Sequence, residues 1–112
     1  GAATGDLKMR IPKEIKIGGH VITIEFQNGM LAYNQAFGVF DPTNLKIIID
    51  ADIEDGLKEE TFWHEVIEAL NFFCEANMDH SKIQTFGLLL HQIAQSLEGD
   101  SQNETRTKKK RS

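Results

Sequence analysis

The chain has 112 residues, 40% of them hydrophobic and 26% charged, with a formal net charge of −5. Such a length suits one small domain with a modest core. No apolar run approaches the roughly 20 residues that cross a bilayer, no secretory signal is visible, and a single cysteine, Cys74, excludes an internal disulfide. A cytoplasmic protein without a membrane segment is the expectation.

The charge is uneven: residues 1–99 carry 15 acidic and 7 basic side chains, residues 100–112 carry 2 and 5. An acidic body argues against a nucleic-acid interface on the folded domain, because such a surface must neutralise phosphates. Only the run Lys108 to Arg111 offers that contact, and a run this short more often solubilises.

Taken in order, residues 1–8 are small and polar without periodicity, and read as a flexible leader or an appended remnant ahead of Met9. The domain is expected over residues 9–98. Ile15 and Ile17 alternate with lysines, Gly18-Gly19 punctuates, and HVITIEF from His20 alternates again, which predicts a hairpin with a Gly-Gly turn. Residues 27–36 have weak pattern and read as a loop. Phe37 to Phe40 and Leu45 to Ile49 flank Asp41-Pro42-Thr43-Asn44, a turn with proline at its second position, so a second hairpin follows.

An acidic connection, Ala51 to Asp55, leads into a helix from Gly56 or Leu57 to Ala76 or Asn77, whose early acids suit the positive end of its dipole. After a short break, Ser81 and Gln84 have the spacing of a capping box, and Ile83, Phe86, Gly87, Leu90, Ile93, Ala94 and Leu97 form the apolar face of a second helix. So short a break makes the two helices antiparallel neighbours. Residues 99–112, GDSQNETRTKKKRS, lack an apolar anchor and are expected to form a disordered basic tail. The fold class is α+β: N-terminal antiparallel hairpins packed on an antiparallel helix pair.

The first helix carries the chemistry. In TFWHEVIEALNFFC, His64 and Glu68 stand four apart on one face, roughly 6 Å from each other, within reach of one small cation. Both are ligand types for zinc. Glu65 points about 100° away, where it can hold and deprotonate an attacking water. This is the logic of H-E-x-x-H, written here His64-Glu65-Val66-Ile67-Glu68. A carboxylate in place of the second histidine makes the site more anionic and a bound water less acidic.

Phe62, Trp63, Val66, Ile67, Ala69, Leu70, Phe73 and Cys74 fill one broad arc of that helix, which makes Cys74 a buried small hydrophobe. Phe72 interrupts the polar face and either lines a pocket or packs beneath a loop. A solvated polar face is the bland alternative for His64, Glu65 and Glu68.

For a third ligand, His80 would lie on the order of 15 Å beyond Glu68 if the helix ran straight on, which counts against it. His91, counted outward from a break near residue 79, comes level with residues 64–68 and is the preferred third ligand; His80, a water completing the site, or no site at all are the alternatives. His20, beside the glycine turn, reads as an exposed turn histidine.

The order of two isoleucine-rich hairpins, Ile17-Gly18-Gly19, Gly38 with Asp41 before a strand, ETFWHEVIEALNFF, and a helix containing LLLHQIAQSL resembles the compact zincin-like, metallopeptidase-like domains of phages and prophages, over about residues 11–97. That resemblance implies Zn2+ on an HExxE helix with Glu65 as general base. It also implies a strand such as Lys46 to Ile49 as docking edge for an extended peptide, and a protein or peptide as substrate or partner. Three functions are compatible with it: a small zinc hydrolase, an inactive metal-stabilised module that grips a host protein, and a metal-free interaction domain.

Overall fold

The computed structural model describes residues 10–30 and 36–111, with side chains through Glu98. The expected leader, and residues 31–35 of the expected loop, lie outside these. Among the described residues four strands precede two long helices: β1 Glu14–Ile17, β2 His20–Gln27, β3 Gly38–Asp41, β4 Lys46–Asp50, α1 Asp55–Cys74 and α2 His80–Arg111.

Both hairpins form, each for a local reason. Gly18 and Gly19 take φ of 57° and 84°, the left-handed pair that a two-residue turn between twisted strands requires. Between β3 and β4, Asp41 Oδ1 accepts the backbone N–H groups of Thr43 and Asn44 at 3.0 and 3.1 Å, closing the turn from its side chain.

The hairpins join differently from the all-antiparallel expectation. The sheet order is β1-β2-β4-β3, and β2 runs parallel to β4 with Ile24 beside Ile47, so the sheet is mixed. The most continuously apolar strand, KIIID, takes an interior place where both its edges are paired, and β3, with Gly38 and Asp41, is left at the rim. Lys46 to Ile49 therefore cannot be a docking edge; among the described residues the free edge on this side belongs to β3.

Ile22, Ile24, Ile47 and Ile49, alternate residues of the two central strands, point to one face and pack with Phe62, Val66 and Ala69 of α1. The other face is open, with Val21, Thr23 and Glu25 exposed. α1 thus lies on the sheet, and α2 packs on α1.

The reversal between the helices is tight. Glu75 takes a left-handed φ of 51°, and the N–H groups of Glu75 and Ala76 return to the carbonyls of Phe72 and Asn71. Asn77 is also left-handed at φ 55°, and Asn71 Oδ1 accepts the Met78 N–H at 2.9 Å. Asp79 Oδ1 accepts the Lys82 N–H at 3.0 Å, so Asp79 caps α2 in place of the expected Ser81. Cys74 stands where the chain is already leaving α1 and is exposed, contrary to the buried position expected of it.

α2 returns against α1 through Gly87: a Cβ there would lie 2.9 Å from His64 Cα and 3.0 Å from its backbone nitrogen. Residue 87 is thus level with residue 64, and the pivot of the pair falls at Glu75–Ala76. The seam of α2 is narrow. Ile83, Gly87 and His91 are buried, while Phe86, Ile93 and Leu97, expected on the packed face, are exposed. The helical backbone continues to Arg111, through the segment whose composition predicts disorder. No helix among the described residues is long and apolar enough to cross a membrane.

Because no side chain fits between the helices at this point, Gly87→Ala should push α2 off α1 and lower the unfolding free energy by about 1–3 kcal/mol. Urea denaturation of the two proteins measures this directly.

Candidate metal centre

α1 presents His64 and Glu68 on consecutive turns, with His64 Nε2 and Glu68 Oε2 3.5 Å apart. The reversal at Glu75 brings the first residue of α2 back over them. His80 Nδ1 lies 4.0 Å from the same Glu68 oxygen, and the rings of His64 and His80 meet edge to face at 5.3 Å. One ligand atom from each of the three lies within 4.8 Å of the others. Tetrahedral ligands about 2.0–2.2 Å from a zinc ion stand roughly 3.3–3.6 Å from one another. The His64–Glu68 pair already meets that spacing, and His80, whose side chain is 72% exposed, can swing inward. The group His64, Glu68 and His80 can hold a metal ion.

His91, the preferred third ligand from the sequence, is not part of this group. It is buried, and its Nε2 lies 3.2 Å from Oε1 of buried Glu59, nearer the start of α1. Arg10 completes that cluster, its backbone N–H donating to Glu59 Oε2 at 3.3 Å and its guanidinium 3.6 Å from Oε1. The correction follows from the pivot. With the turn at Glu75–Ala76 rather than near residue 79, the level partner of residue 91 moves about seven residues along α1, or two helical turns. The same shift makes His80 a neighbour of Glu68, although a straight continuation of α1 would have carried it far away.

Glu65 faces the sheet side of the cleft and is only 7% exposed. Gly38 of β3 sits against it: a Cβ at this position would come within 2.5 Å of Thr61 Cγ2 and 3.3 Å of Glu65 Oε2. Burial, followed by the charge of Glu68, pushes the Glu65 carboxyl up to about 7, and the backbone N–H of Phe40 pulls the other way. Burial also holds the His64 imidazole below its usual range, opposed by Glu68, so the ring is neutral and carries a free lone pair at neutral pH.

Ladder alternation explains the Phe40 contact. Phe37 accepts from Asp50 across to β4 at 2.8 Å, so residues 37, 39 and 41 bond inward while the N–H and C=O groups of Gly38 and Phe40 point out from the edge. They face a cleft of about 650 Å³ lined by the apolar Phe37, Leu57 and Leu88 and by His64, Glu65, Glu68 and His80. Phe72 lies one turn beyond Glu68, exposed, with its ring edge-on to Phe40 at 5.8 Å. His20 is exposed as expected, though its ring stacks on Phe73 at 4.7 Å.

No protein-family model, curated protein or solved structure matches the chain.

Glu65 links the site to stability. Its carboxyl binds a proton more tightly folded than unfolded, so in metal-free protein its neutral form costs nothing at low pH. Charging it in place then destabilises the fold progressively as pH rises from about 4.5 to about 7, by up to about 3 kcal/mol. Glu65→Gln should remove this decline, so that in the presence of a chelator the variant unfolds at a higher temperature than wild type at pH 8 but not at pH 4. Melting curves at the two pH values test it.

Proposed function

We propose that the chain is a minimal zinc-dependent, metallopeptidase-like protein of the phage and prophage zincin-like kind it resembles, acting on an extended segment of a protein or peptide. The observation that carries this reading is the convergence, in one cleft, of three candidate ligand side chains and a buried, proton-accepting carboxylate beside a strand edge that is unpaired among the described residues.

The roles divide by position. His64, Glu68 and His80 would hold the ion, which when bound supplies a Lewis acid and an acidified water. His64 gives a neutral nitrogen and Glu68 the negative charge, while His80 closes the site from the far helix. Glu65, with a proton affinity near neutrality, takes the proton of the attacking water and returns it to the leaving amine. The outward N–H and C=O groups of Gly38 and the C=O of Phe40 pair with the backbone of an extended substrate. Phe37, Leu57 and Leu88 offer an apolar place for one of its side chains.

A second reading has its own support. The Glu65 carboxylate interacts with the Phe40 N–H, one of the few edge donors a substrate strand would use, and has little exposure to solvent. An inactive, metal-stabilised binding module, in which Glu65 is held by the strand and activates no water, fits that arrangement. Turnover separates the two.

Metal titration with mass-spectrometric metal analysis should find one zinc per chain. His80→Ala should weaken zinc binding by more than the roughly 10–100-fold that loss of an outer-shell partner costs, whereas His91→Ala should leave zinc affinity unchanged and lower the melting temperature by leaving a cavity and taking one of the two partners of buried Glu59, Arg10 being the other. Glu65→Gln should retain zinc and abolish peptide hydrolysis. Zinc affinity lost in His91→Ala and kept in His80→Ala would contradict the ligand set, and hydrolysis by zinc-loaded Glu65→Gln would contradict the assignment of the base.

A further inference from the structure

The seam that joins α2 to α1 uses only part of what α2 offers. Phe86, Leu89, Ile93 and Leu97 are each between 46% and 64% exposed, and at helical spacing they fall within about 80° of arc. This stripe lies on the flank of α2 away from Gln84 and Leu88, which line the cleft. By the register set at Gly87, Leu97 stands level with Glu54, at the very start of α1, so among the described residues α1 offers α2 no neighbour beyond this point. From Ile83 to Leu97 there is no Asp, Glu, Lys or Arg, in a chain that is 26% charged.

We propose that this stripe is the seam of a symmetric dimer, α2 packing antiparallel on α2 of a second copy about a two-fold axis between Leu89 and Ile93. Size supports it: four such side chains leave on the order of 400 Å² of apolar surface in water. A stable interface buries about 800 Å² per partner, of which about 56–65% is apolar, so the stripe supplies most of the apolar part. Charge supports a second copy in particular. Each chain carries −5 overall, yet the stripe is uncharged, so two copies meet here without opposing like charges at the contact, and an antiparallel two-fold makes one stripe complementary to itself. Residues 1–9, the chain's own alternative cover, contain only Leu7 and Met9 as large apolar side chains. Because the cleft opens on the other flank, both copies keep theirs accessible.

Sedimentation equilibrium of the full chain from about 5 to 200 µM tests this. Wild type should approach twice the chain mass. Ile93→Glu with Leu97→Glu should raise the dissociation constant by at least about 100-fold, because each substitution acts twice across the two-fold, and the far-ultraviolet spectrum should stay unchanged because both positions are exposed. Leu88→Glu, on the cleft flank, should leave the dimer intact. In a Cys74→Ser background, Ile93→Cys should cross-link copy to copy under mild oxidation and Gln84→Cys should not. A monomer throughout the range overturns the proposal and leaves the stripe to residues 1–9 or to a different protein. A dimer that survives the double glutamate variant, or that cross-links through residue 84 and not 93, overturns it as well.

Discussion

Everything distinctive about the site depends on one backbone contact, the approach of Gly87 to His64. Two helices that meet without an intervening side chain are fixed in both distance and register, and the register decides which residues of α2 face which turn of α1. It places His80 over Glu68 and sends His91 to Glu59, two turns away from the candidate ligands. It also stiffens α1 where its ligands sit: His64 has the other helix against its backbone on one side, and Glu65 has β3 against its side chain on the other.

That confinement gives neighbouring residues opposite electrostatic tasks. His64 is pushed toward its neutral form and Glu65 toward protonation, both by the loss of water, while Glu68 remains at the mouth of the cleft, more exposed and shared between two histidines. A cation entering the group would relieve much of the strain of keeping carboxylates close together in a partly dry cleft. The Arg10–Glu59–His91 cluster resolves the same difficulty with protein groups alone, which is why a buried glutamate and histidine there serve packing rather than ligation.

Much of this was legible in the sequence. The period-two alternation of HVITIEF and KIIID, with Gly-Gly and Asp-Pro-Thr-Asn between strands, carries both hairpins because those signals are local. The HExxE spacing carries the His64–Glu68 pair for the same reason, since a helix fixes residues four apart without help from the rest of the fold. The order of the strands was not legible: the pairing of β2 with β4 is a choice between hairpins that no turn dictates, and it removes Lys46 to Ile49 from the edge in favour of β3. Nor was the third ligand, because it hangs on where the helices pivot. The residues that set the pivot were visible, since Asn71 and Asn77 are types that accept or adopt the bonds of a reversal, and Gly87 is the only glycine among the apolar positions of α2. Counting from the middle of the apparent break instead displaced the register by two turns.

The proposed site holds zinc through His64, Glu68 and His80, with His91 outside it. Side-chain nitrogen NMR of the four histidines during zinc addition tests it directly, since a ligated ring nitrogen shifts strongly and an unligated one does not. Large shifts are expected at His64 and His80 at one equivalent of zinc, and an unmoved His91. Shifts at His91 in place of His80, or no shift at any histidine, would contradict it.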